Sequence, residues 1–232
     1  MKVVILCGGK GTRLKELTEE LPKPLVEIGD KPIIWHIMKT YSHYGYKDFI
    51  LCLGYKGHMI RDYFNRNEEN WNIEFIDTGK ESNKGQRIKA IENYIEEENF
   101  FVAYGDDVAD INIKELLQYH VRKNKIVTLT AVNPVSQFGI IELNSRNEII
   151  EFKEKPKLDH CINGGFFIFN RKIFNFIKKG YDLEKQTFED LVKINQICAY
   201  KHKGFWKCMN TFKDTMELNE LWDKKRAPWV LW

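Results

Sequence analysis

An open, mostly parallel α/β sheet flanked by helices is the fold class that the sequence predicts, and three observations predict it. Residues 3–7 form a short apolar run that breaks into glycine at Gly8, as a strand buried on both faces does. From there to residue 132, short apolar runs alternate with longer segments of helical periodicity, the rhythm of repeated strand–helix units. A second apolar run, residues 100–104, stops abruptly at Gly105-Asp106-Asp107. In such sheets ligands bind beyond the carboxyl ends of the strands. The glycine turn and the acidic turn are therefore expected along one edge.

The elements follow in order. Residues 3–7 are a strand and 8–14 a glycine-rich turn. Residues 32–44 carry apolar side chains at helical spacing, with Pro32 in a first-turn position that needs no N–H. Residues 48–53 read as a strand, 58–65 as a helix, 73–76 as a strand and 86–97 as a helix. The strand at 100–104 is followed by a helix at 113–123 and a strand at 126–132. The texture changes after Ser136. Residues 138–143 and 149–152 flank Asn144-Ser145-Arg146-Asn147, a hairpin signal. Residues 162–170 are β-prone, 173–179 and 187–194 look helical, and 199–206 form a further strand region. An amphipathic helix at 214–224 leads into an aromatic tail with Trp222, Trp229 and Trp232. With no repeat, low-complexity segment or linker, a single domain over residues 1–232 is expected.

Composition narrows the function classes. Hydrophobic residues make up 43% of the 232, enough for a sizeable core. Lys and Arg number 36 against 33 Asp and Glu, so the net charge of +3 gives no reason to expect a nucleic-acid partner. Five cysteines without a CxxC pair or a Cys/His cluster read as reduced thiols of a cytoplasmic protein. The apolar surroundings of Cys7, Cys52, Cys161 and Cys198 suit buried small hydrophobes. The apolar start is too brief for a signal peptide, and no run approaches the roughly 18 apolar residues of a membrane span. A soluble chain without a membrane partner is expected.

Three sites carry chemistry. In Gly8-Gly9-Lys10-Gly11-Thr12-Arg13-Leu14 the glycines let the backbone approach a ligand, and exposed N–H groups can cradle phosphate oxygens. Arg13 adds a fork of donors that matches phosphate. The order fits neither GxxxxGK[ST] nor GxGxxG, and an ordinary strand-to-helix turn is the alternative. In Pro22-Lys23-Pro24-Leu25 two prolines hold the backbone extended around a lysine, which can act as a point charge on phosphate or stand as a solvated surface group. In Tyr104-Gly105-Asp106-Asp107 a carboxylate at a strand end can hold Mg²⁺ beside phosphates, or the two aspartates can serve a turn. His36 and His43 share one helix seven residues apart without a carboxylate partner and read as structural.

These motifs resemble those of the sugar-phosphate nucleotidyltransferases, and most closely the glucose-1-phosphate cytidylyltransferases. Residues 8–14 resemble the signature GGxGTRL, and Lys23-Pro24 the KP element that follows it. Ile33-Ile34-Trp35-His36-Ile37-Met38, Gly54-Tyr55-Lys56-Gly57, Tyr104-Gly105-Asp106, Glu154-Lys155-Pro156, Asn163-Gly164-Gly165-Phe166-Phe167, Gly204-Phe205-Trp206, Leu221-Trp222 and Ala227-Pro228-Trp229 are similar too, so the likeness runs over nearly the whole chain.

The resemblance implies a Rossmann-like nucleotidyltransferase fold, a mostly parallel mixed sheet flanked by helices with a small β-hairpin and helical region on the acceptor side. Residues 1–135 would bind the nucleotide, and 136–232 would bind the acceptor and form the C-terminal half. It implies transfer of CMP from CTP to a phosphorylated small molecule, by default a sugar 1-phosphate such as glucose 1-phosphate, in nucleotide-sugar and polysaccharide biosynthesis. It implies Mg²⁺ and a homo-oligomer. Leu6, Gly8, Gly9, Gly11, Thr12, Arg13, Lys23, Arg87 and Gly105 would contact the nucleotide, with Arg13, Lys23 and Asp106 catalytic. Tyr104, Glu154, Lys155, Asn163 and Gly164 would face the acceptor, and Asp106 would ligate Mg²⁺ together with Asn210.

Two departures bear on that picture. The family has Met-Asp-Thr where this chain has Met209-Asn210-Thr211, so a neutral amide stands at the second metal carboxylate, and Asp107 offers an alternative carboxylate where Gly is usual. The segment between Phe64 and Ile73 is also short, where the cytidylyltransferases carry a longer insertion that shapes the site and subunit contacts. A non-sugar phosphate as acceptor (a phosphorylated polyol, choline or amino acid), another NTP as donor and a non-catalytic relative stay open on the sequence alone.

Overall fold

The computed structural model describes residues 1–14, 18–67 and 69–232. Thirteen strands and six α-helices lie among the described residues. In chain order they are β1 (Val3–Leu6), β2 (Glu27–Ile28), β3 (Lys31–Pro32), α1 (Ile33–His43), β4 (Asp48–Leu53), α2 (Gly57–Arg66), β5 (Asn72–Asp77), α3 (Lys84–Ala90), β6 (Asn99–Tyr104), β7 (Asp107–Ala109), α4 (Ile113–Lys123), β8 (Val127–Val132), β9 (Ile140–Leu143), β10 (Ile149–Lys153), β11 (Ile162–Asn170), α5 (Phe188–Lys193), β12 (Ile197–Lys201), β13 (Trp206–Cys208) and α6 (Phe212–Asp223).

Seven strands form the central sheet in the order β12-β8-β11-β6-β1-β4-β5. Neighbours run parallel except β11, which is antiparallel to both β6 and β8, so the sheet is mixed and mostly parallel, as expected. The chain leaves β1 for β4 and β5 on one side and then crosses to β6 on the other. That reversal is a switch point, where the carboxyl ends of adjacent strands splay and open a crevice.

Alternation along the strands builds a core on each face of the sheet. Val3, Ile5, Phe49, Leu51, Phe101 and Ala103 face one way, against Ile34, Met38 and Tyr41 of α1 and Leu218 of α6. Val4, Ile50, Cys52, Phe100 and Val102 face the other, against Ile88 of α3 and Phe188 and Leu191 of α5. Both faces of β1 are thus dry, which explains its unbroken apolar run.

The aromatic tail closes the first face. Trp229 is fully buried, stacks on Phe205 at 5.5 Å, and donates its indole N–H to Nδ1 of His36 at 3.3 Å. The other ring nitrogen of His36 donates to the Ile28 carbonyl at 2.9 Å, and Trp222 lies edge-on at 4.9 Å. His36 is therefore a neutral packing residue, kept so by burial, which pushes its pKa down.

Several boundaries differ from the sequence reading. The helix expected to reach residue 97 ends at Ala90 and passes into a 3₁₀ turn, Glu92–Tyr94; Ile88, Ile91 and Ile95 are all buried, and the tighter turn satisfies the same apolar spacing. Residues 173–179 form no α-helix; a 3₁₀ turn, Arg171–Asn175, capped by the Asn170 side chain takes their place. The strand region 199–206 divides into β12 and β13 because the chain must bend at Gly204, where a Cβ would lie 2.2 Å from the Asp110 carboxylate. Cys161 is exposed rather than buried, and the five cysteines are free thiols. No described helix is long and apolar enough to cross a membrane.

A buried histidine sets an acid limit on stability. His120 on α4 is almost fully buried, its ring between the Thr128 hydroxyl at 2.8 Å and the Asn99 side-chain amide oxygen at 3.0 Å. Burial lowers its pKa from 6.5 to about 4. The unfolded chain takes up this proton near the ordinary value and the folded chain only near pH 4. Stability is therefore full above about pH 6.5 and is lost as the pH falls through that window, by up to about 3 kcal/mol from this group. Denaturant titrations from pH 7 to 4 will follow this slope, and His120→Gln, which keeps polar atoms without a titration, will flatten it.

Candidate active site

A cleft of about 580 Å³ opens at the carboxyl ends of β1 and β6, where the glycine turn and the acidic turn meet. One wall is the turn after β1. Gly8, Gly9, Gly11 and Thr12 line it, and Gly9 has open space where a side chain would project. The side chain of Arg13 lies outside the described residues.

The turn is held from behind by Arg87 of α3. Its guanidinium is buried and donates to the carbonyls of Leu53 (3.1 Å), Gly79 (2.8 Å) and Gly8 (2.9 Å) and to the Thr78 hydroxyl (2.7 Å). A Cβ on Gly8 would stand 2.2 Å from this group, so only glycine admits the arginine. Arg87 borders the cleft, yet these donors are committed to the protein.

At the floor, Lys23 projects from a 3₁₀ turn, Lys23–Leu25, whose flanking prolines fix the backbone. The residue is only 7% exposed, and its ammonium donates to Asp106 at 2.5 Å and to the Asn210 side-chain oxygen at 3.0 Å. Asp106 follows directly from β6. Asn210 reaches the same point from the turn after β13, which is tied down by Met209 N–H donating to the Asp106 carbonyl at 2.9 Å. The structure thus brings to Lys23 two residues that lie 83 and 187 positions away in sequence.

Asp107 lies beneath Asp106 on β7, opposite Cys208 of β13. Its carboxyl is 3% exposed, and burial, reinforced by the Asp106 charge, pushes its pKa well up. Burial and the two carboxylates push the Cys208 thiol up as well, so it stays protonated. Donor atoms of Asp106, Asp107 and Cys208 lie within 4.8 Å of one another. Hard divalent cations take oxygen ligands. The two carboxylates offer oxygens of that kind, the Cys208 sulfur does not, and the Asn210 amide oxygen meets Asp106 at the shared Lys23 ammonium.

The opposite wall is polar. Tyr104 ends β6 and donates its hydroxyl to Glu184, whose same oxygen accepts from the Lys84 ammonium. Lys84 also sits 4.3 Å over the Tyr104 ring, and Asn163 donates to the Tyr104 hydroxyl at 3.2 Å. Burial, then the Glu184 charge, raises the Tyr104 pKa, so the phenol stays a donor. Asn163 is aimed by an irregularity in β11, where Gly165 takes φ +76° and donates to the Asn163 oxygen at 3.0 Å. Gly164 stands behind the wall, its carbonyl accepting from Trp206 at 2.8 Å.

Of the residues singled out from sequence, Leu6, Gly8, Gly9, Gly11, Thr12, Lys23, Arg87, Tyr104, Gly105, Asp106, Asn163 and Asn210 line the cleft. Glu154 and Lys155 do not. They sit at the exposed end of the β9–β10 hairpin, 3.8 Å from each other. Sequence reasoning missed Lys84, Asp182, Glu184 and Cys208. The Asn83–Gln86 capping box was the available signal for Lys84, since it starts α3 two residues earlier than the apolar pattern does. Glu184 had none, being 100 residues from Lys84.

With this geometry in hand, known proteins give the cleft its family. Residues 2–227 match the nucleotidyl transferase family. A glucose-1-phosphate cytidylyltransferase of Salmonella typhimurium is 42% identical over 257 positions, covering the whole of both chains; 257 positions against 232 residues means that the relative carries segments this chain lacks. A mannose-1-phosphate guanyltransferase of Saccharomyces cerevisiae is 33% identical over 98% of this chain and 67% of its own. Among solved structures, HddC from Yersinia pseudotuberculosis complexed with GMP-PN superposes with a TM-score of 0.76 at 25% identity, over 95% of this chain and 99% of that one. The chain belongs to the nucleotidyl transferase family and is an enzyme of that class.

Proposed function

We propose that the protein transfers CMP from CTP to a sugar 1-phosphate, with glucose 1-phosphate the foremost acceptor, releasing pyrophosphate in the cytoplasm as a step toward nucleotide sugars for polysaccharide synthesis. The single observation that carries transfer is the convergence of the glycine turn, Lys23, Asp106 and Asn210 at one strand edge. The choice of CTP and of the sugar rests on full-length likeness to the Salmonella enzyme.

In this reading the glycine turn and Thr12 receive the triphosphate, and residues 1–135 supply most of the nucleotide site. The acceptor phosphate is already an oxyanion at neutral pH, so no general base is needed. Its oxygen bonds to the α-phosphorus as the bond from that phosphorus to the bridging oxygen breaks, and pyrophosphate leaves with the electron pair. Lys23 neutralises charge on the α-phosphate and Arg13 charge on the leaving group. A divalent cation held by Asp106, with Mg²⁺ the expected ion, supplies further charge neutralisation when bound. Residues 136–232 furnish the acceptor side, where Asn163, Tyr104 and the Lys84–Glu184 pair present donors and acceptors suited to sugar hydroxyls. Glu154 and Lys155 join them only if the hairpin turns toward the cleft.

The expected homo-oligomer is supported by the β9–β10 hairpin. Ile141 pairs with Phe152 and Leu143 with Ile149, and all four are exposed on one face, between 47% and 62%. Sedimentation should give a multiple of the 27.6 kDa chain; a single 27.6 kDa species would count against this.

Two measurements test the reaction. Pyrophosphate release, assayed with each NTP and a panel of phosphorylated sugars, polyols, choline and amino acids, should occur with CTP and a sugar 1-phosphate. Turnover with a different NTP would move the donor to that nucleotide, and a folded protein inert with every pair would favour a non-catalytic relative. Lys23→Met should lower kcat by roughly 10²–10³ with a smaller change in KM, since its charge is aimed at the reacting phosphate. An unchanged kcat would remove Lys23 from the reaction.

A further inference from the structure

Among the described residues that line the cleft, Asp107 alone has a buried side-chain oxygen without a hydrogen-bond partner. Desolvating a carboxyl group and leaving it unpaired is costly, so a site that keeps one there calls for a ligand. The surroundings make room for it. The unpartnered atom is Oδ1, and a Cβ on Gly165 would stand 1.9 Å from the other oxygen, Oδ2, so the left-handed glycine of β11 is what lets this carboxyl lie against the floor. Its backbone is fixed by the β7–β13 pairing, and Asp106 precedes it directly.

The partner expected at position 210 is weak by comparison. Asn210 carries no charge, and its side-chain oxygen accepts from Lys23 at 3.0 Å. A small divalent cation beside phosphates takes one or two carboxylates. Asp106 provides one.

From this arrangement we propose that Asp107 is the second carboxylate ligand of a divalent, oxygen-seeking cation in the cleft, so that consecutive aspartates of one turn hold the ion. The inference rests on the transferase reading of the cleft and deepens it. Cys208, the third member of the cluster, lies outside the ligand set because a hard, oxygen-seeking cation takes oxygen rather than sulfur donors.

The test uses Mn²⁺, a hard cation visible by electron paramagnetic resonance, titrated into the metal-stripped full chain without nucleotide. The parent should bind Mn²⁺, Asp107→Asn should weaken binding at least tenfold, and Asn210→Asp on the Asp107→Asn background should recover it. Circular dichroism melting confirms that each variant folds, and Asp107→Gly replaces Asp107→Asn under the same criteria if the amide is not tolerated. Absence of binding by the parent at millimolar Mn²⁺, a loss smaller than tenfold, or a loss that Asn210→Asp does not recover would each overturn the assignment. If pyrophosphate release by the parent is intact in those cases, the transferase reading stands without it; Mn²⁺ binding through Asp107 in a chain inert with every NTP would leave the metal site and sink the transferase reading.

Discussion

Arg87 sets the frame on which the cleft is built. One buried guanidinium joins the turn after β1, the end of β4 and the turn after β5, and α3 delivers it from the far face of the sheet. Three loops that would otherwise each need their own anchor share one planar fork of donors. Burial opposes the charge and lowers its pKa, and bonds to three carbonyls and a hydroxyl offset that cost. The consequence is a glycine turn whose shape is fixed by the protein rather than by the ligand.

The Lys23–Asp106 pair is the second constraint. Lys23 is nearly buried, so its ion pair with Asp106 is less screened than a surface pair would be. Asn210 adds a neutral acceptor to the same ammonium. The amide leaves the lysine paired with one charge, and Asp107 lies alongside with Oδ1 uncommitted.

How much of this was legible depended on sequence distance. Both cores follow from two-residue alternation in β1, β4 and β6, and short apolar runs bounded by glycine made those strands readable. The glycine turn, Lys23 and Asp106 were readable because each chemistry is local to a few residues. The polar wall was not, since Glu184 meets Tyr104 and Lys84 only after the sheet and a π-helical turn, Leu183–Thr187, have formed. The resemblance implied a nucleotide contact for Arg87, but its commitment to four protein acceptors depends on three loops meeting in space. Helix ends failed where 3₁₀ turns meet the same apolar spacing, as at Ile91 and Ile95.

Direct transfer at this cleft is the core of the account, and CTP labelled with ³²P at the α-phosphate tests it most directly. Incubated with the protein, a divalent cation and glucose 1-phosphate, the label should pass into a nucleotide sugar, with unlabelled pyrophosphate released and no label on the protein. Label retained on the protein, or α-label left entirely in CTP and CMP with every sugar 1-phosphate offered, would contradict it.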